Sequence, residues 1–244
     1  MTTDVLGNDG PYSEGRTSAE NRLVLEALTS PPHWDCSRLR GTLIALGCLG
    51  KDFQIPAFNR PDSINISGWE DDLRRLRVRT DRSGREAGYP ILVDKRKRCL
   101  IIAPTTDARE EDGESRVLIY INHQPGRGLF QEHVILVHDH GDRGTILSGG
   151  FSDTDYATLL NDKCLKGSLM IWKKARFLAL KTSVTPNNLR PERVKEKVDD
   201  LAREFLTREE GVIDFNKAVC LEFGLTLYYA GNGENCLRRT EVTK

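Results

Sequence analysis

Apolar residues recur along this chain with two periods. Val194, Val198, Leu201 and Phe205 step at helical spacing and predict an amphipathic helix. Leu23, Val24, Ala27 and Leu28 make a similar stripe behind Thr17-Ser18-Ala19-Glu20, a capping-box pattern, and Pro31-Pro32 stops it. Ser67-x-x-Glu70 offers a second capping box ahead of Trp69, Leu73 and Leu76, with Arg74, Arg75, Arg77 and Arg79 on the rest of that helix, read as a solvated basic face. Further helices are expected over 153–162 and about 213–222. Short runs rich in Ile, Leu and Val, each bounded by turn or charged residues, predict strands at 89–93, 99–103, 117–121, 134–138, 175–181 and 225–229.

The segments between these runs read as connections. Residues 1–16 and 50–66 lack periodicity and are expected to be loop, and 41–48 is a short apolar run of either type. Residues 107–115 (DAREEDGES) read as an acidic hairpin loop, 141–150 as a glycine-rich loop, and 185–188 as a turn. Strands flanked by helices predict an α/β fold: one domain over 67–244 with a central mixed β-sheet, preceded by a partly helical N-terminal extension over 1–66.

Composition narrows the function classes. The 244 residues carry 36 Lys+Arg against 36 Asp+Glu. Neutrality disfavours a nucleic-acid binder that works by bulk electrostatics. A 38% hydrophobic and 30% charged content describes a globular chain. No apolar run reaches the roughly 18–20 residues of a membrane span, and the polar stretch 1–15 is unlike a secretory signal, so a cytoplasmic location without membrane contact is expected. The six cysteines include no CxxC pair, which excludes a zinc ribbon and suits reduced thiols; Cys99 and Cys220 lie in apolar contexts and read as small core residues.

Only five histidines occur, and two stand one residue apart at the end of an apolar run, His138 and His140. On a strand these point to one face, so both imidazoles can meet one ion. A catalytic zinc takes three protein ligands and keeps a position open, and Asp155, opening the next helix, is the candidate third ligand. Ser152-x-x-Asp155 is equally a capping box, a role that requires no chemistry and is compatible with ligation.

The order HxH, glycine-rich loop, then Ser152-x-x-Asp155 followed by Tyr156-Ala157-Thr158-Leu159 resembles the JAMM (MPN-plus) metallo-isopeptidases, in their bacterial form. The resemblance implies an MPN/JAMM-like, cytidine-deaminase-like fold and a Zn2+ cofactor held by His138, His140 and Asp155. It implies Ser152 as the residue stabilising the tetrahedral intermediate, and an upstream glutamate before a strand as general base. Glu86, in Arg85-Glu86-Ala87-Gly88-Tyr89, fits that place, and Glu132 is its competitor. The implied reaction is hydrolysis of an amide or isopeptide bond after the tail of a ubiquitin-like modifier, whose conjugates, and at one remove E1/E2-like conjugation enzymes, are the expected partners. This chain departs from the family in having Gly141 where a proline usually follows the second histidine, a longer spacer (141–151), and Pro90 and Asp94 in the strand after the glutamate. Those departures keep two other readings open: a non-catalytic scaffold of the same fold, and a different metal-dependent hydrolase.

Overall fold

The apolar runs assemble into one mixed sheet in a computed structural model that describes residues 33–34, 62–94, 99–102, 106–107, 109–111, 114–116, 131–141, 146–173, 175–231 and 234–240. The helix expected at 17–28, the apolar run at 41–48 and the strand expected at 117–121 lie outside these residues. In chain order the elements are β1 (His33–Trp34), β2 (Ser63–Asn65), α1 (Glu70–Ser83), β3 (Ala87–Asp94), β4 (Cys99–Ile102), β5 (Thr106–Asp107), β6 (Arg109–Glu111), β7 (Glu114–Arg116), β8 (Gln131–Asp139), α2 (Asp153–Asn161), β9 (Gly167–Trp172), β10 (Ala175–Lys181), α3 (Pro191–Phe205), α4 (Gly211–Glu222), β11 (Leu225–Ala230) and β12 (Cys236–Arg239).

The strand order is β1-β4-β3-β8-β9-β10-β11-β12-β2, with β5 also against β3. The β8–β9 pair is parallel and the other described pairs are antiparallel. Parallel neighbours need a crossover, and here it runs through α2. Pro90 sits inside β3 without breaking it. Its neighbours on one side change there, from β5 opposite Ala87 and Gly88 to β4 opposite Ile91–Asp94, so a missing N–H falls in the gap between the two ladders.

The sheet divides the interior in two. On one face Trp69, just ahead of α1, and Leu73 and Leu76 of α1 lie with Tyr89, Ile91, Ile135, Val137, Leu169 and Ile171 in one core. Trp69 Nε1 donates to Tyr89 Oη at 2.9 Å, so both large polar-tipped rings are buried with a partner. On the other face α2, α3 and α4 cover Leu136, Met170, Trp172, Phe177 and Ala179. From Ile135 to Asp139 the odd residues of β8 therefore face α1 and the even ones face α2–α4, while Val134, at the register shift, joins the α1 side. The stripe expected from Val194 and Val198 is buried here. So is Cys220, whose thiol is pushed up to about 12 by burial, the behaviour of an inert core residue.

Four expectations are corrected. Residues 63–65 are not loop: the exposed–buried–exposed pattern of Ser63-Ile64-Asn65 forms β2, hydrogen-bonded to β12, and Ile64 and Ile66 join the core. Ser67 does not cap α1. A single 3-10 turn over Ser67–Trp69 precedes the helix, Asn65 Oδ1 accepts the Ser67 N–H at 2.8 Å, and Glu70 is drawn away to Arg176 at 2.6 Å. The acidic stretch 107–115 is itself strand-forming, since β6 and β7 pair into a separate two-stranded sheet. The face of α1 read as solvated is partly engaged, Arg77 reaching Asp139 and Asp81, and Arg75 pairing with Asp72.

The glycine-rich loop also has a packing role in its last part. A Cβ on Gly150 would lie 2.2 Å from Phe215 Cε1, and one on Gly149 2.8 Å from a Val212 methyl, so these glycines let the chain pass tightly over α4. Gly150→Ala is expected to lower stability by about 1–3 kcal/mol through overpacking, read as a lower urea midpoint at unchanged m-value.

Candidate metal centre

The site forms where β8 ends and the crossover to β9 begins. His138 is the last but one residue of β8, and His140 follows the strand directly. Both are buried and face the α2 side, with ring centroids 4.8 Å apart. The Phe151 ring abuts His138 edge-on at 5.8 Å and packs in turn on Tyr156 at 5.5 Å, walling the pair from below. His140 is fixed twice more. Its backbone N–H donates to Ile171 O at 3.0 Å, and its Nδ1 lies 2.7 Å from Ser148 O. A carbonyl accepts only, so Nδ1 carries a proton and Nε2 is the nitrogen turned to the site, where a cation can take the place of a second proton.

Asp155 reaches this point from the first turn of α2. Ser152 caps that helix reciprocally: its Oγ accepts the Asp155 N–H at 3.1 Å, and its own N–H donates to Asp155 Oδ2 at 2.8 Å. The Ser152 hydroxyl donates to the same oxygen at 2.8 Å. That oxygen lies 3.5 Å from His138 Nε2 and 3.8 Å from His140 Nε2. The capping role and the approach to the histidines thus coexist in one carboxylate.

The three side chains fit a divalent cation. Their donor atoms lie within 4.8 Å of one another, and tetrahedral ligation at 2.0–2.1 Å puts ligand atoms about 3.3 Å apart, so the group is slightly open and needs only side-chain adjustment. His138 Nε2 is buried with no hydrogen-bond partner, a polar atom that a cation would satisfy. Two imidazoles and one carboxylate are borderline-to-hard donors and suit zinc.

The electrostatics agree with the geometry. Burial disfavours a charged imidazole at His140, but the Asp155 carboxylate and the charge of Glu86 outweigh it and bring the pKa up to about 9. Burial alone would push Asp155 up, yet the imidazoles of His138 and His140 hold it well below the usual carboxylate range. The site thus concentrates negative potential on the histidine nitrogens, where a cation can replace a proton.

Glu86 belongs to the same end of the sheet. Ala87 is paired with Asp139 and Gly88 with His138, so the register carried one residue further sets Glu86 opposite His140. Opposed residues share a face. Tyr89 and Ile91 face α1, which turns Gly88 and Glu86 toward the histidines. Glu86 is half-buried and close enough for its charge to act on His140. Glu132, the second residue of β8, pairs with Val93, six residues and about 20 Å of strand from His138.

One supporting residue is not legible as functional in the sequence. Asn216 of α4 is fully buried: its Nδ2 donates to Gly149 O at 3.2 Å and Val212 O at 2.9 Å, while its Oδ1 accepts the Phe151 N–H at 3.2 Å and faces Tyr156 Oη at 3.4 Å. It clamps the segment that leads into Ser152. The available signal is a single amide among the apolar residues of α4.

A scan against protein-family models matches none, and neither curated proteins nor solved structures give a match to this chain. The arrangement defines, on its geometry alone, an α/β protein with a candidate two-histidine, one-aspartate metal centre at a strand end.

Titrating zinc into metal-free protein is expected to show one site per chain by calorimetry, with a thermal midpoint that rises with zinc. The linkage amounts to about 2.7 kcal/mol at a hundredfold excess over Kd. His138→Ala should abolish both signals. Asn216→Leu should leave the buried groups of Gly149 and Phe151 unpaired and lower stability by about 1–3 kcal/mol for each, read by urea denaturation.

Proposed function

We propose that this chain is a zinc-dependent isopeptidase or peptidase of the JAMM (MPN-plus) type, acting in the cytoplasm on an amide bond after the extended tail of a ubiquitin-like modifier or its conjugates. The observation that carries the reading is the convergence of His138, His140 and Asp155 on one point with Glu86 on the same face beside it. These residues come from two separated stretches of sequence, in the order the resemblance requires.

Zinc, when bound, supplies Lewis acidity that lowers the pKa of a water from 15.7 to about 7. The remaining roles belong to the chain. His138 and His140 offer their Nε2 atoms, and Ser148 O holds His140 in the tautomer that leaves Nε2 free. The Glu86 carboxylate accepts the proton of the attacking water and passes it to the leaving nitrogen. The Ser152 hydroxyl, which donates to Asp155 Oδ2 at rest, swings toward the carbonyl oxygen as that oxygen gains charge, a donor typically worth about 3–4 kcal/mol in such sites. Phe151, packed on His138 and on Tyr156, gives the site an apolar wall.

Cleavage of a linear fusion carrying a ubiquitin-like modifier is expected to require zinc and to stop with EDTA. Glu86→Gln should lower kcat by about 10²–10⁴-fold while the protein keeps its zinc. Ser152→Ala should lower kcat and also lose the helix cap, worth about 1 kcal/mol. Cleavage that persists in EDTA, or a Glu86→Gln variant as active as the wild type, rules the reading out. Metal-dependent cutting of nucleic acid with peptides untouched would replace it with a different hydrolase.

A further inference from the structure

Between the two histidines stands a residue that faces the other way. Asp139 is odd-numbered on β8 and points to the α1 side, where its side chain has no solvent exposure. Its Oδ1 accepts Arg77 Nη1 from α1 at 2.9 Å and the Gly141 N–H at 2.7 Å. Gly141 has φ +68, a left-handed conformation, and a Cβ there would lie 3.2 Å from Thr80 Cγ2 of the same helix. A proline at this position has no N–H to donate and cannot adopt that φ. The glycine that departs from the family pattern is therefore matched to the aspartate that precedes His140. Helix α1 ends at Ser83 and is capped by Gly84, two residues before Glu86. One helix thus adjoins the histidine pair through Arg77 and Thr80 and leads into the candidate base at its own C-terminus.

We propose that Arg77 and Asp139 are positioning residues for the metal centre: the guanidinium locks the Asp139 carboxylate, which holds the Gly141 N–H in a left-handed turn and so fixes His140 at the end of β8. The proposal rests on the metal reading of His138, His140 and Asp155. Its physical basis is that the chain leaves the sheet at His140. A residue in the ladder is held from both neighbouring strands, whereas His140, after the last rung, keeps a backbone bond on the β9 side alone, to Ile171 O at 3.0 Å, and is otherwise held where the turn is tied down. The Asp139 carboxylate ties it from one face of the sheet while Ser148 O holds the imidazole from the other.

Cobalt titration of metal-free full-length protein tests this, because bound Co2+ reports affinity and ligand geometry by its visible d–d bands without any catalytic assay. Arg77→Met and Asp139→Ala are each expected to weaken cobalt binding by about 10–100-fold and to change the band pattern, the usual effect of removing an orienting partner. The double variant should be no worse than Asp139→Ala alone, since both act through one path. Arg77→Lys should recover part of the loss. If Arg77→Met does not fold because the Asp139 charge is stranded, Asp139→Asn keeps an oxygen for Gly141, loses the charged partner, and should show an intermediate loss in the same titration. Variants that lose thermal stability in the metal-free state but bind cobalt with wild-type affinity and bands would overturn the proposal and leave a purely structural ion pair. A wild-type protein that binds no cobalt or zinc would overturn the metal reading itself and this proposal with it.

Discussion

Asp155 Oδ2 is the atom on which the site turns. It closes the N-terminus of α2 by accepting from Ser152 N–H and Oγ–H, and it is the oxygen nearest both histidine Nε2 atoms. A helix start carries unsatisfied N–H groups and a positive end, so a carboxylate is stabilised there whatever else it does. The parallel pairing of β8 with β9 then brings that end back over the strand it left, because the crossover between parallel neighbours must begin at the C-terminal end of the first strand. Helix capping and cation binding therefore ask for the same residue at the same place.

The alternation of β8 divides its last residues between two layers. His138 and His140 face the layer of α2–α4 and form the candidate centre, while Asp139 faces α1 and joins it to Arg77. The carboxylate between the histidines is thereby kept out of the ligand set. Burial pushes its pKa up to about 6 even with Arg77 opposing that shift, so leaving it without its partner is costly. The glycines of the following loop serve the same layering. Gly149 and Gly150 let the chain lie against Val212 and Phe215, and Asn216 binds the backbone of that stretch, so the segment reaches Ser152 along a fixed course.

Much of this was legible in the sequence, for a physical reason that differs from element to element. The stripe at 194–205 is strongly periodic and the strands at 175–181 and 225–229 are short runs rich in Leu and aromatic residues, and local preference agrees with tertiary burial. Besides the short strands at 33–34, 63–65, 106–107, 109–111 and 114–116, two strands of the main sheet were not foreseen. Gly167–Trp172 begins with Gly and Ser and is buried on both faces, so it has no alternation to read; Cys236–Arg239 is short, polar and near the chain end. The capping box at Ser67 misled because a 3-10 turn and the Glu70–Arg176 ion pair, between residues far apart in sequence, took both partners away.

The sequence by itself determined the donor types and their local geometry. HxH on a strand puts two imidazoles on one face, and Ser-x-x-Asp at a helix start closes a box, because both spacings are set by backbone periodicity. Only the tertiary structure decided that these two local units meet. Strand order and register are global properties, fixed by which faces can be buried together, and they bring Asp155 within 3.8 Å of both histidines. They also set Glu86 opposite His140 rather than Glu132, and they turn Asp139 toward Arg77. No spacing along the chain encodes those choices, because each depends on contacts between segments that sequence distance does not relate.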